Sequence, residues 1–314
     1  MKIIFFGSSK FAVESLKILL ESEHDILCVV TQPDREQGRG MHLGKTPVKT
    51  FANDKQIRIF QPYKKDLKNE IELLSGFNAD IFVVVAYGLI LPKEIIELPK
   101  IFSINLHGSL LPAYRGAAPI NWAIINNEKE TGVTVIKLTE EMDAGPIIQN
   151  RKITIEQADN AHTLEEKLSK AGAKLLLDTI NNIAINKYKL TGQDENKITY
   201  APKLIKQNGL IDWEDNAQSI INLIRGCFGW PGAFTYYNGK LIKILRAESS
   251  KIAVHEYQPG QICEIDKNGI HVVVAGGSIV IRELQPEGKK SMSCADFISG
   301  HKLIKGNSFL KSSF

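Results

Sequence analysis

The stretch Lys2–Val30, KIIFFGSSKFAVESLKILLESEHDILCVV, reads as strand, helix, strand. KIIFF and DILCVV are apolar at nearly every position, whereas KFAVESLKILLES sets Phe11, Leu16, Leu19 and Leu20 along one helical stripe. Strands with no polar face are buried on both sides, and a helix between two of them makes them parallel. IRIFQP, DIFVVVAY, FSINLH and VTVIKL repeat the apolar run, with helical segments near Leu67–Ser75, Pro92–Glu97 and Pro119–Asn126. The expected fold is a doubly wound, mostly parallel α/β sheet, whose ligands bind beyond the carboxyl ends of its strands.

HTLEEKLSKAGAKLLLDTINNIAI reads as a long closing helix with Thr163 and Glu166 spaced as a capping box. Tyr188–Gly209 is then polar and turn-rich, broken by Pro202, as an interdomain linker would be. The expected division is a catalytic domain over 1–188, a linker over 189–208 and a second domain over 209–314. A short helix at Ala217–Arg225 precedes β-like runs, AFTYYNGKLIKILRAES, GQICEID and GIHVVVAGGSIVIREL, with Asn238-Gly239 as a hairpin turn. A small barrel or sandwich follows from that pattern.

At 314 residues and 43% hydrophobic, the chain is long enough for two cores. Its net charge of +4 is compatible with a nucleic-acid partner without requiring one. Cys28, Cys227, Cys263 and Cys294 form no CxxC pair, so neither a zinc site nor a disulfide framework is expected, and reduced thiols in a cytoplasm fit. The apolar run after Lys2 is too short for a signal peptide, and no stretch approaches a membrane span. A cytoplasmic protein with no membrane or metal, acting as a monomer, is the expectation.

Gly7 opens the first helix where a dinucleotide fold carries GxGxxG, but the second and third glycines are missing, and a plain strand-to-helix turn is the better reading. FSINLHGSLLPAYRGAAPINWAI, Phe102–Ile124, carries more chemistry. Asn105 and His107 are two apart on an extended chain, so both side chains project to one side at a strand end. Asp143, in EEMDAGPI after VTVIKL, is expected at the same carboxyl edge. A carboxylate beside an imidazole favours imidazolium and orients the ring. Amide donor, acid/base and orienter suit acyl chemistry, and none of the three is a strong nucleophile, which favours direct transfer over a covalent intermediate.

Pro33–Lys49, PDREQGRGMHLGKTPVK, is glycine-rich, basic and longer than the usual connection of roughly 2–6 residues. Arg35, Arg39, His42, Lys45 and Lys49 could contact phosphates, although on composition alone a plain surface loop is the favoured reading. Further cations gather around Lys240–Lys251 and Lys289–Lys311, where solvated lysines are the plainer explanation. Trp213, Trp230 and Phe234 read as core or interface anchors.

The motifs NLHGSLLPAYRGAAPINWAI, ETGVTVIKLTEEMDAGPII, TQPDREQGRG, TYAPKL with GLIDW, and IRGCFGWPGAF resemble those of the methionyl-tRNA formyltransferase family over essentially the whole chain. The first two are shared with glycinamide ribonucleotide formyltransferase and formyltetrahydrofolate deformylase, so they mark chemistry rather than acceptor. TYAPKL, GLIDW and WPGAF belong to formyltransferases with an extra C-terminal domain, a group that also includes some sugar-nucleotide enzymes. The resemblance implies a Rossmann-like formyltransferase domain followed by an OB-like β-barrel that binds tRNA. It implies 10-formyltetrahydrofolate as cosubstrate, charged initiator tRNA as acceptor, and Asn105, His107 and Asp143 as the catalytic triad. It further implies a folate site lined by Ser109, Leu110, Leu111 and Pro112, with Val85, Ala86, Tyr87 and Leu89 at the pterin. Arg35, Arg39, His42 and Lys45 would meet the tRNA acceptor end. Sugar-nucleotide formyl transfer and formyltetrahydrofolate hydrolysis are the alternative activities.

Overall fold

A computed structural model of the chain describes residues 1–37, 42–252, 254, 256–267, 269–301 and 303–312. In chain order its first elements are β1 (Lys2–Gly7), α1 (Lys10–Leu20), β2 (Asp25–Val30), β3 (Arg35–Gln37), β4 (His42–Gly44), α2 (Pro47–Asp54) and β5 (Ile59–Phe60). Next come α3 (Ile71–Gly76), β6 (Ile81–Val85), α4 (Lys93–Ile96), β7 (Phe102–His107), α5 (Pro119–Ile125), β8 (Glu130–Lys137), β9 (Ile147–Thr154) and α6 (Ala161–Ala184). The remainder holds α7 (Ala217–Gly226), β10 (Phe234–Tyr237), β11 (Lys240–Ser250), β12 (Ile262–Asp266), β13 (Gly269–Val274), β14 (Gly277–Pro286), β15 (Met292–Ser293) and α8 (Cys294–Gly300).

By contacts the chain divides into two compact units. One comprises 1–119, 130–154 and 165–202; the other comprises 120–129, 155–164 and 203–314.

The first unit holds a seven-stranded sheet in the order β5-β2-β1-β6-β7-β8-β9. Strands β5, β2, β1, β6 and β7 run parallel, which gives the mostly parallel Rossmann-like sheet that the apolar runs predict. Ile3, Ile4, Phe5 and Phe6 of the central β1 are fully buried, as a strand covered on both faces requires. Each such side chain contributes about 1.5–3 kcal/mol when removed from water. The parallel run stops at β7. Strand β8 pairs with it antiparallel, Ile104 opposite Lys137 and His107 opposite Thr134, and β9 pairs antiparallel with β8. The carboxyl end of β8 therefore lies three residues back from that of β7, and Asp143 cannot reach the carboxyl edge simply by following its strand, as the sequence suggests.

Three local expectations also change. IRIFQP forms only the two-residue β5, because it is an edge strand with a single neighbour. The long basic loop contains the β3–β4 ladder, Arg35 opposite Gly44 and Gln37 opposite His42, and α2 already begins at Pro47. The cap of α6 sits three residues earlier than the Thr163–Glu166 box. Asn160 Oδ1 accepts from the His162 and Thr163 amides, and Thr163 Oγ1 accepts from the Asn160 amide, a reciprocal pair with Asn160 as cap. Glu166 instead pairs with Lys10 at 2.8 Å.

The second unit carries a six-stranded antiparallel sheet, β10-β11-β14-β13-β12 with β15 on β14. Asn238 and Gly239 turn β10 into β11 with φ of 49° and 71°, the left-handed pair that an Asn-Gly hairpin turn uses. Helix α7 is amphipathic and contributes Ile220 and Ile224 to the core of this unit, which also holds Ile242, Ile244, Val272, Ile281 and Phe309. Trp213 and Phe234 are buried as expected, each 3% exposed, but Trp230 is 62% exposed and anchors no core. It sits between Gly229 and Gly232, both at positive φ, in a turn that carries its side chain outward. No helix among the described residues is long and apolar enough to cross a membrane.

All four cysteines are buried and unpaired. Burial pushes the thiols of Cys28, Cys227 and Cys294 up to about 12, so the reactive thiolate is scarce at ordinary pH. The native protein should therefore leave these thiols unmodified by a disulfide reagent at pH 8 and expose all of them on denaturation. Fast labelling of the native chain would contradict this packing.

Candidate active site

Strand β7 decides which residues meet. Leu106 faces α6, packing so closely on Gly172 that a Cβ there would stand 2.8 Å from Leu106 Cδ2. Asn105 and His107 consequently project to the opposite face, Asn105 half-buried and His107 only 6% exposed. The β8–β9 connection folds back toward them. It starts tightly, with the Leu138 amide donating to Ser103 O and the Lys137 amide to Pro146 O. Gly145 lies so close that a Cβ would strike the carbonyl oxygen of Lys137. Within this turn Asp143 takes φ of 53°, a left-handed conformation that costs a non-glycine residue about 1–3 kcal/mol and persists only where its surroundings hold it.

The surroundings do hold it. Asp143 Oδ2 accepts from the Gly116 amide at 2.9 Å, while Oδ1 faces Asn105 Nδ2 and His107 Nδ1, each at 3.5 Å. The carboxylate is 12% exposed. His107 Nε2 lies 2.9 Å from the Tyr114 carbonyl, which only accepts, so this nitrogen carries hydrogen. On the other side of the ring Nδ1 faces the Asp143 carboxylate, which would accept a hydrogen carried there. At 3.5 Å the two contacts to Oδ1 are weak, which leaves both donors free to turn to a stronger acceptor placed beside them. The structure thus brings Asn105, His107 and Asp143 together from β7 and one folded-back turn.

Other predicted residues are placed as follows. Ser109 and Leu111 are buried, at 0% and 4% exposed, and Leu110 and Pro112 are half-buried. Their loop is tied internally: Ser109 Oγ donates to Ala113 O, and Thr134 Oγ1 donates to Ser109 O while accepting from the Leu111 amide. Val85 is buried, and the Tyr87 ring packs edge-on against Phe6 in the core, so at Tyr87 the backbone and not the ring is available to a ligand. The Tyr87 carbonyl accepts from Ser8 Oγ at 3.0 Å and Gln32 Nε2 at 2.7 Å. Leu89 is half-buried and packs against that same core. Ala86 and Tyr87 line a cavity of about 300 Å³ with Ser8, Ser9, Gln32, Pro33, Arg35, Gly44, Thr46 and Gly88. It opens beyond the carboxyl ends of β1, β2 and β6, where a doubly wound sheet binds ligands.

Arg35 and Lys45 are exposed, and His42 lies on β4. Arg39 falls outside the described residues. Lys49 does not join a cationic surface, because its ammonium is 2.6 Å from Asp34 Oδ2; this bond, with a second from Gln61, holds the Asp34 carboxyl below its usual range. Reading the sequence alone missed Ser8, Gln32 and Thr46 on the cavity, and Arg115 and Gln193 behind Asp143. Small polar residues near strand ends carry no spacing signal. No group of three or more His, Cys, Asp and Glu among the described residues could hold a metal ion.

A family model described as formyl transferase matches residues 1–180, and a second, described as formyl transferase, C-terminal domain, matches residues 203–302. The chain is 42% identical over 307 residues to a methionyl-tRNA formyltransferase of Geotalea uraniireducens, covering 98% of this chain and 97% of the relative. A methionyl-tRNA formyltransferase of Thermodesulfovibrio yellowstonii is 45% identical over 307 residues, covering 97% of each chain. Among solved structures, HypX from Aquifex aeolicus in complex with tetrahydrofolic acid superimposes with a TM-score of 0.67 at 17% identity, covering 95% of this chain and 47% of that one. WlaRD, a sugar 3N-formyl transferase, gives 0.67 at 24% identity, covering 92% and 99%. At these identities the two structures speak for the fold alone.

The tight turn at Gly145 is open to a direct check. A methyl group there must push the Asp143 loop off Lys137, and misplacement of a catalytic group by about 1 Å can cost about a hundredfold in rate. Gly145→Ala should lower turnover at least about tenfold, whereas Gly192→Ala, with nothing within 4 Å of its Cβ, should leave it unchanged. Equal activity in the two variants would show that the turn does not set the carboxylate.

Proposed function

The chain belongs to the methionyl-tRNA formyltransferase family, and on that premise we propose how its residues carry out the reaction. The enzyme transfers the formyl group of 10-formyltetrahydrofolate to the α-amino group of methionyl initiator tRNA, the modification that prepares it for translation initiation. An α-amino group titrates at about 7.7–8.0 in peptides and lower in an aminoacyl ester, so much of the acceptor is already free amine at neutral pH. The demanding step is stabilising charge on the formyl oxygen as the amine attacks.

Asn105 and His107 supply that stabilisation. Their donors converge on one oxygen of Asp143 at 3.5 Å, and this convergence carries the reading. A formyl oxygen beside that carboxylate accepts from both, more strongly as its charge grows. Asp143 keeps the ring turned toward the reacting group, itself held by the Gly116 amide. As the new C–N bond forms, the attacking nitrogen loses a proton; as the C–N10 bond breaks, N10 gains one, so no residue need change its net protonation over the cycle.

The cavity beyond β1, β2 and β6 combines Ala86 and Tyr87, assigned here to the folate, with Arg35, assigned to the tRNA, so donor and acceptor would approach across it. The backbone at 85–89 and the loop 109–112 would hold the folate, and Arg35, Arg39, His42 and Lys45 the acceptor end. The antiparallel sheet of the second unit is read as an OB-like barrel for the body of the tRNA. Arg246, Lys305 and Lys311 are engaged by Glu248, Glu264 and Asp212, which leaves the exposed Lys240, Lys251, Lys289 and Lys290 as the better candidates for phosphate contacts. A cytoplasmic location accords with the four buried, unpaired thiols, and the protein is read as a monomer.

With 10-formyltetrahydrofolate supplied, formyl consumption should require methionylated initiator tRNA and should not proceed with glycinamide ribonucleotide or with no acceptor. Consumption independent of tRNA would overturn the reading. Asp143→Asn should lower the rate well over about tenfold with folate affinity little changed, the loss of one charged partner in a preorganised site. An unaltered rate would remove Asp143 from the mechanism.

A further inference from the structure

The segment 189–202 looks like a tether in the sequence, yet it is stitched to the catalytic unit at two places. Thr191 and Ile147 exchange backbone hydrogen bonds of 2.8 and 2.9 Å. Further on, the Arg115 amide donates to Thr199 O at 2.9 Å, the Ala201 amide donates to Arg115 O at 2.8 Å, and the Tyr114 amide donates to Thr199 Oγ1 at 2.8 Å. Gln193 sits between the two stitches. Its Nε2 donates to the carbonyls of Asp143 at 2.7 Å and Gly145 at 2.8 Å. Its Oε1 accepts from Arg115 Nε at 3.1 Å and Nη2 at 2.8 Å.

Every hydrogen-bonding position of that amide is filled. The orientation is also unique, because an exchanged amide would set NH₂ against a guanidinium and oxygen against two carbonyls. Arg115 is only 5% exposed, so its charge strengthens and polarises the bond it makes. The two carbonyls that Gln193 grips flank Ala144 in the turn where Asp143 is held at φ of 53°.

We propose that Gln193 is a positioning residue for formyl transfer, fixing the turn so that Asp143 stands opposite His107 and Asn105, with Arg115 fixing Gln193 in turn. The inference rests on the role of Asp143 in the reaction above. A glutamine that merely secured a surface strap would affect stability and not the catalytic step. One acting through Asp143 must lower turnover, spare substrate affinity, and lose its effect once Asp143 has lost its charge.

The test uses the full chain with methionylated initiator tRNA. Gln193→Met keeps the volume and removes all four bonds; Gln193→Glu keeps the Arg115 pair and sets oxygen against the two carbonyls. Each should lower kcat at least about tenfold with KM for both substrates within about twofold. In an Asp143→Asn background, Gln193→Met should cost less than about twofold more. Melting temperatures confirm that the variants are folded, and if Gln193→Glu fails to fold, Gln193→Met decides. Wild-type kcat in a folded Gln193→Met enzyme, or a full additional loss in the Asp143→Asn background, would overturn the proposal. If the wild-type enzyme formylates no tRNA, the functional reading fails instead, and the two failures are distinguishable.

Discussion

Strand β7 is paired parallel to β6 on one edge and antiparallel to β8 on the other, and the active site depends on that change of direction. Had β8 continued the parallel series, its exit would lie level with His107 and Asp143 would need only a short turn. Because it is reversed, β8 ends opposite Ile104, and the chain must return by about 10 Å, the rise of three extended residues. A short turn makes that return only by lying tightly against the strand it has left. The close approach of Gly145 to Lys137 and the left-handed conformation of Asp143 are both consequences of this.

A turn under such constraint is stable only if its polar groups are answered. The Gly116 amide takes one carboxylate oxygen, and Gln193 takes the carbonyls on either side of Ala144. Gly116 has φ of 122°, and a Cβ on it would stand 2.7 Å from Ala201 O, so the loop that serves Asp143 is itself pressed against 199–201. The Asp143 carboxylate is therefore positioned by three stretches far apart in the chain: the loop after β7, the turn after β8 and the segment after α6. Buried polar networks of this sort raise the cost of any one missing partner, since each group left unpaired in a water-poor site costs about 1–3 kcal/mol.

Much of this was legible in the residues themselves. The apolar runs announced the buried parallel strands, the Asn238-Gly239 pair announced its hairpin, and the two-residue spacing of Asn105 and His107 announced a shared face. Each of these signals is local, set by side-chain period or by the φ a turn requires. What escaped depends on distant partners. Trp230 resembles any core tryptophan until its turn carries it outward. Lys49 resembles a phosphate ligand until Asp34 stands 2.6 Å away. Thr163 resembles an N-cap until Asn160, three residues earlier, proves to hold the free amides.

By itself the sequence determined which residues could do the chemistry and on which kind of element they lie, because donor type, charge and backbone preference are properties of a residue and its immediate neighbours. It also determined the family, through motifs spread along the whole chain. Only the tertiary structure decided how Asp143 arrives and what keeps it there. The direction of β8, the fold-back of its turn and the grip of Gln193 are settled by strand pairing and by buried polar groups finding partners across long sequence separations, and no local pattern records that choice.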